Sequence, residues 1–152
     1  MSIRYEWATD HQGEWLAERR EALLRYHGEA PATPAVMERM ADFFRRGIAQ
    51  GFCWVVLAYD GETLVGNATL YTYERLASMA NPMGKLAYIT DVWTKESHRR
   101  QGIARTMVSM LMEVGFRQAD AIRLHASAEG KMLYPALGFV PTEDDFVCYR
   151  KD

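Results

Sequence analysis

Apolar residues along this chain either recur at three- and four-residue steps or form short alternating and unbroken runs, and the order of these patterns interleaves helices with strands. Residues 3–8 are short and β-prone. Thr9 and Asp10 can each cap the helix that follows, whose apolar positions include Trp15, Leu16, Ala22, Leu23 and Tyr26, until Gly28 and Pro31 break it. Thr33-Pro34, a capping residue followed by a proline at the first turn, predicts a second helix carrying Val36, Met37, Met40, Phe43, Phe44 and Ile48 as far as Gly51. β-Branched and aromatic residues then dominate, and residues 52–59 and 63–73 read as a hairpin around Asp60-Gly61-Glu62. A loop over residues 74–84 leads to an apolar strand at 86–94. Ile103, Met107, Met110, Leu111 and Val114 predict a long helix over 102–118, and residues 121–126 a further strand. A short helix at 131–137 and terminal strands at 139–140 and 146–149 complete the series.

Composition bounds what this series can be. With 152 residues, 49% of them hydrophobic, the chain fills one domain over residues 1–152, and it shows no repeat or linker. A formal net charge of −2 leaves no overall positive excess to hold a polyanion, so nucleic acid is not an expected partner. Cys53 and Cys148 sit in apolar stretches without metal-ligand spacing, and no metal is expected. The first residues lack the apolar region of a signal peptide and no apolar run reaches membrane-spanning length. A soluble cytoplasmic protein without a membrane partner is the expectation.

The candidate chemistry lies at residues 92–105, where a strand end, a basic turn, a glycine and a helix start follow one another. First-turn amides of a helix have no acceptor within the helix, and the helix dipole is positive there, which favours a diphosphate. Gly102 lets the backbone approach it closely, Ala104 keeps the next turn open, and Arg99, Arg100 and Arg105 add charge. A solvated basic turn would look similar. The turn has no Gly-Lys-Ser/Thr ending and no Gly-x-Gly-x-x-Gly, so nucleoside triphosphate and dinucleotide loops do not fit.

Arg99-x-x-Gly102-x-Ala104 between strand and helix resembles the acetyl-CoA signature, Arg/Gln-x-x-Gly-x-Gly/Ala, of the GNAT N-acetyltransferase superfamily, and Tyr134-x-x-x-Gly138-Phe139 resembles its second recurrent motif. The order of elements over nearly all of residues 1–150 agrees. The resemblance implies an α/β (α+β) fold: a central, mixed, mostly antiparallel twisted sheet of six to seven strands flanked by about four helices, its fourth and fifth strands splayed. It also implies an acyltransferase that moves an acetyl group from acetyl-CoA to a primary amine by direct attack in a ternary complex. Main-chain groups of Val92, Trp93 and Thr94 would meet the pantetheine arm, and Arg99, Arg100, Gln101, Gly102, Ile103, Ala104 and Arg105 the diphosphate. Ser127 would substitute for an asparagine that many relatives carry. Dimers are frequent in the family, so a homodimer is an expectation.

By the same resemblance Tyr134 is the general acid toward the CoA thiolate; spacing alone fits an aromatic packed beside Leu133 and Leu137 equally well. The chain departs from a common pattern in having no glutamate early on its fourth strand. Asp91 is the carboxylate available there, on the face opposite Tyr88, Thr90 and Val92 by strand alternation, and a water relay is the alternative base. Tyr26, His27 and Glu29 near one turn, Tyr71, Tyr73 and Glu74 after the hairpin, and Tyr88 and His125 on strands are acceptor candidates for a small cationic amine. Solvated loop side chains are the plainer account of each. A non-catalytic acyl-CoA module or sensor, and acetylation of a protein or peptide amine, stand as alternatives.

Overall fold

The computed structural model describes residues 2–142 and 145–151. β1 (Ile3–Trp7) is followed by a 3-10 turn at Asp10–Gln12 and then by α1 (Gly13–Tyr26) and α2 (Pro34–Gln50). Capping residues set the start of the 3-10 turn that leads into α1 and the start of α2. The Gln12 side chain accepts a hydrogen bond from the Thr9 amide (2.8 Å), and Thr33 Oγ1 accepts one from the Val36 amide (3.3 Å) with Pro34 at the first turn. Gly51, at φ 81°, ends α2 in a left-handed conformation that a side chain would disfavour.

β2 (Cys53–Asp60) and β3 (Thr63–Glu74) form the hairpin, and β4 (Lys85–Thr94) lies beside β3. α3 (Ile103–Gly115) then crosses over to β5 (Ala121–Leu124), which runs parallel to β4. The sheet order is β1-β2-β3-β4-β5, antiparallel except for the last pair. Its two faces explain the unbroken apolar run of β2. Val56 and Ala58 join Leu70, Ala87 and Ile89 against Ile103, Met107 and Leu111 of α3, whereas Cys53, Val55 and Leu57 pack with Leu16 of α1 and Phe44 of α2. At Gly66 a Cβ would come within 3.0 Å of Met107 and 3.2 Å of Ile103, so the missing side chain sets how closely α3 lies on β3.

Two expectations change. Five strands make up the sheet among the described residues, where six to seven were expected, because the segments at 139–140 and 146–149 do not form strands. A strand needs a ladder partner, and β5 meets the terminal segment through an Arg123–Asp145 ion pair of 3.6 Å while Phe146, Val147 and Tyr149 stand exposed. The last helix is shorter than expected: a 3-10 turn at Ala128–Gly130 precedes α4 (Leu133–Ala136).

Candidate functional site

β4 and β5 part company halfway along β4. Their register runs from Leu86↔Ala121 to Ile89↔Leu124, and beyond it β4 continues to Thr94 with β3 alone. The divergence coincides with a bulge: between the pairs Thr69↔Thr90 and Asn67↔Trp93, β3 contributes one residue, Ala68, and β4 two, Asp91 and Val92. Asp91 sits at φ 58°, a left-handed conformation that costs a non-glycine residue about 1–2 kcal/mol. Side chains from two other elements hold it there. Asn67 Nδ2 donates to the Asp91 carbonyl (2.8 Å), and Arg20 of α1 forms an ion pair with the carboxylate, which also accepts from Thr90 Oγ1 (3.3 Å).

The bulge overturns the strand-alternation argument for Asp91. Its carboxylate lies on the α1 side of the sheet, where Arg20 and Asp91 both act on the Tyr71 and Tyr88 phenols, instead of on the face opposite Tyr88. An extra residue in a strand resets the twofold alternation from that point on. The carboxylate is 7% exposed and already engaged by a guanidinium.

At the far end of β4 the main chain turns into α3 and leaves the first amides of that helix open. The Lys95 amide donates to the Val65 carbonyl (2.7 Å), His98 Nε2 lies 2.8 Å from Asp60 Oδ2, and Arg99 Nε donates to the Thr94 carbonyl (3.3 Å). Arg100 (φ 62°) and Gly102 (φ 83°) then turn the chain into α3. The first helical bond runs from the Thr106 amide to the Gly102 carbonyl (3.0 Å), so the amides of Ile103, Ala104 and Arg105 precede the helical ladder. Gln101, Gly102 and Arg105 are exposed and Ala104 half-buried, whereas the Ile103 side chain is locked in the core and can offer only its amide. A Cβ on Gly102 would meet no protein atom within 4 Å; it would instead stand in the space over the turn. Thr94 Oγ1 is buried without a hydrogen-bond partner, and Val92 and Trp93 are half-buried beside it. A strand edge open on its β5 side, an unsatisfied hydroxyl and an open helix start fit a chain of amides that ends in a diphosphate, such as the pantetheine arm of coenzyme A.

Tyr134 on α4 is 8% exposed. Its ring meets Phe139 edge-on (5.7 Å between centroids) and covers Gly130, where a Cβ would lie 2.8 Å from it. Burial pushes the phenol above its usual value of 10, so the hydroxyl holds its proton. Ser127 Oγ accepts from the Gly130 amide (3.3 Å) and caps the 3-10 turn ahead of α4.

The acceptor candidates fall into two groups. Tyr73, Tyr71, Tyr88 and His125 form a chain of neighbouring rings, with Tyr71 resting on Phe43 of α2 and the Tyr88 hydroxyl hydrogen-bonded to His125 Nδ1. Burial raises both the Tyr71 and the Tyr88 phenol. Tyr26 instead lines a cleft of about 310 Å³ with Arg19, Trp93, Glu96 and Arg99. There the Arg19 guanidinium lies 4.6 Å from the Trp93 ring centroid. His27 and Glu29 close α1 through their amides, to Leu23 and Leu24 carbonyls, and their side chains are exposed. Glu74 is exposed at the end of β3.

Arg19, Arg20 and Asn67 escaped the sequence reading. The signal present was local: Arg19 and Arg20 lie between Leu16 and Leu23 on the inner stripe of α1, where a cation calls for a partner. Among the described residues no three His, Cys, Asp or Glu side chains gather as a metal site, and no helix is long and apolar enough to cross a membrane.

The sheet thus forks between β4 and a parallel β5, with a glycine turn and helix start at the mouth of the fork. The chain belongs to the Acetyltransferase (GNAT) family, which it matches over residues 4–139, and so to the acetyl-CoA-dependent acetyltransferases. Among solved structures it is similar to a predicted acetyltransferase with acetyl-CoA from Clostridium acetobutylicum (23% identity, TM-score 0.87, 97% of this chain and 96% of that one). It is also similar to a GCN5-related N-acetyltransferase from Ralstonia eutropha (23%, 0.80, 97% and 99%). An aminoglycoside acetyltransferase from an uncultured soil metagenomic sample shares the fold as well (20%, 0.70, 99% and 100%). No curated protein matches the chain.

Proposed function

We propose that this chain transfers the acetyl group of acetyl-CoA to a primary amine of a small molecule, by direct attack in a ternary complex. The observation that carries this reading is the parting of β4 from β5 after Ile89↔Leu124, with the open start of α3 at the end of the strand so released. Acetyl-CoA supplies the activated acetyl group. Main-chain groups of Val92, Trp93 and Thr94 hold the pantetheine arm, and residues 99–105 the diphosphate. A main-chain amide near Val92 or Trp93 polarises the thioester carbonyl, which any residue there can do. Tyr134 keeps its proton at neutral pH and donates it to the departing thiolate; Ser127 supports the turn that carries it.

A small cationic acceptor is supported by the row Tyr71, Tyr73, Tyr88, whose ring faces attract cations, and by fold likeness to a protein named as an aminoglycoside acetyltransferase. The test is release of CoA thiol over a panel of aminoglycosides, polyamines, amino acids and peptides. Turnover with a small amine is expected; turnover confined to peptide or protein amines would overturn the acceptor assignment. The capture of Asp91 by Arg20 favours a second reading, a non-catalytic acyl-CoA sensor, because it removes the carboxylate on β4 from base duty. Tyr134→Phe separates the two. An enzyme keeps acetyl-CoA binding and loses roughly 10²-fold in kcat, whereas a sensor turns over in neither form.

A further inference from the structure

The acceptor amine arrives as an ammonium ion at neutral pH and must lose a proton before it can attack, yet the carboxylate on β4 is bound to Arg20. Among the described residues, a hydrogen-bonded titratable pair also lies at the fork, Tyr88 with His125. Tyr88 is in register with Arg123, and His125 follows Leu124, the last residue of β5 to pair with β4. The hydrogen bond between the Tyr88 hydroxyl and His125 Nδ1 therefore joins the two strands at the point where they separate. We infer that Tyr88 and His125 form a proton relay that deprotonates the acceptor amine, an inference that rests on the acetyl-transfer reading above.

The step balances within these groups. An N–H bond of the ammonium breaks and its proton forms a bond to the Tyr88 oxygen. Meanwhile the Tyr88 O–H bond breaks and its proton goes to His125 Nδ1. The amine keeps the electron pair it needs for attack, and the exposed imidazolium returns a proton to solvent before the next turnover. Burial keeps the Tyr88 phenol protonated at neutral pH, so it can pass its proton on as it receives another. The groups that face it are Tyr71 and Tyr73 of β3, Asp91 of β4 and Arg20 of α1. Arg20 and Asp91 neutralise each other, so they leave no fixed net charge beside the imidazolium as it forms. Tyr88 is the group that touches substrate; His125 acts through it.

The experiment is a pH profile of kcat/KM for the best amine of the panel, in the wild type, Tyr88→Phe and His125→Asn, with acetyl-CoA binding followed by calorimetry. Asn keeps an acceptor for the Tyr88 hydroxyl but cannot take up a proton. Expected are unchanged acetyl-CoA affinities, a loss of about 10²-fold at neutral pH in both variants, and disappearance from both of the acidic limb that the wild type shows. The deficit should shrink toward about pH 10, where amines lose the proton unaided. An acidic limb that persists in His125→Asn overturns the relay, as does a loss confined to Tyr88→Phe or one equal at every pH. A wild type that acetylates no amine of the panel overturns the acetyl-transfer reading itself, and the relay with it.

Discussion

Tyr134 shows at the scale of one residue how packing and chemistry draw on the same burial. The ring fills space between Gly130 and Phe139, and the exclusion of water that follows keeps the phenol protonated, as the proposed role of donor to a leaving thiolate requires. Because the protonated form is the active one and its loss is displaced upward, thiol release should stay level past about pH 10, the ordinary tyrosine range, before it falls. A decline at about pH 9 in the kcat profile would exclude Tyr134 as the donor. Asp91 is the opposite case, a carboxylate spent on structure. Arg20→Ala would leave it nearly buried without its charged partner, at a cost of about 1.5–3 kcal/mol in urea unfolding, and removing both side chains should recover part of that. A change under about 0.5 kcal/mol in the single variant would show the pair to be idle. Arg99, Gly102 and Ala104 form a pattern that the sequence displays because it is local. The Arg20–Asp91 pair is not displayed there, since it depends on a bulge created jointly by β3 and β4.

Among elements, the helices were the most readable. Thr33-Pro34 and Gly51 bracket α2 as the sequence implies, because capping and left-handed termination are decided within a turn. Strands are decided by partners, and β-prone residues 146–149 stay exposed although their composition matches that of β2. The fork itself was available only through family resemblance, as nothing in residues 86–94 says where pairing with β5 ends. Contact between elements gives its own test at Gly66. Gly66→Val would press branched methyls into Met107 and Ile103 and lift α3 from β3, lowering stability by about 1–3 kcal/mol with an unchanged urea m-value. An unaltered urea midpoint would mean that α3 does not sit on the sheet as described.

For the whole molecule, burial of ionisable groups on both faces of one sheet ties stability to alkaline pH. Burial raises Tyr59, Tyr71, Tyr88 and Tyr134, and pushes the Cys53 thiol up to about 12. A group whose folded pKa lies above its unfolded one contributes fully below the unfolded value and loses that contribution as pH climbs through the folded value. The melting temperature should therefore hold to about pH 8.5 and fall steadily from about pH 9 to 12, the cysteine first and the tyrosines after it. A flat profile to about pH 11 would contradict the burial of these groups. At this scale the proposed donor half of the site is written in one contiguous stretch, residues 92–105, whereas the residues of the proposed acceptor half are gathered from α1, β3, β4 and β5 and come together only on folding.

The central claim is that the turn from Arg99 into α3 holds the coenzyme, and calorimetric titration of acetyl-CoA into wild type and Gly102→Val tests it most directly. No protein atom crowds that position, but its φ of 83° strains any side chain, so the variant should fold at a stability cost of about 1–2 kcal/mol, with its folding checked by circular dichroism; its side chain would stand over the open amides of Ile103, Ala104 and Arg105. Saturable binding by the wild type and a loss of about tenfold or more in the variant, at least ~1.4 kcal/mol, is the expected result. Equal affinity in the two folded proteins would remove this turn from the site.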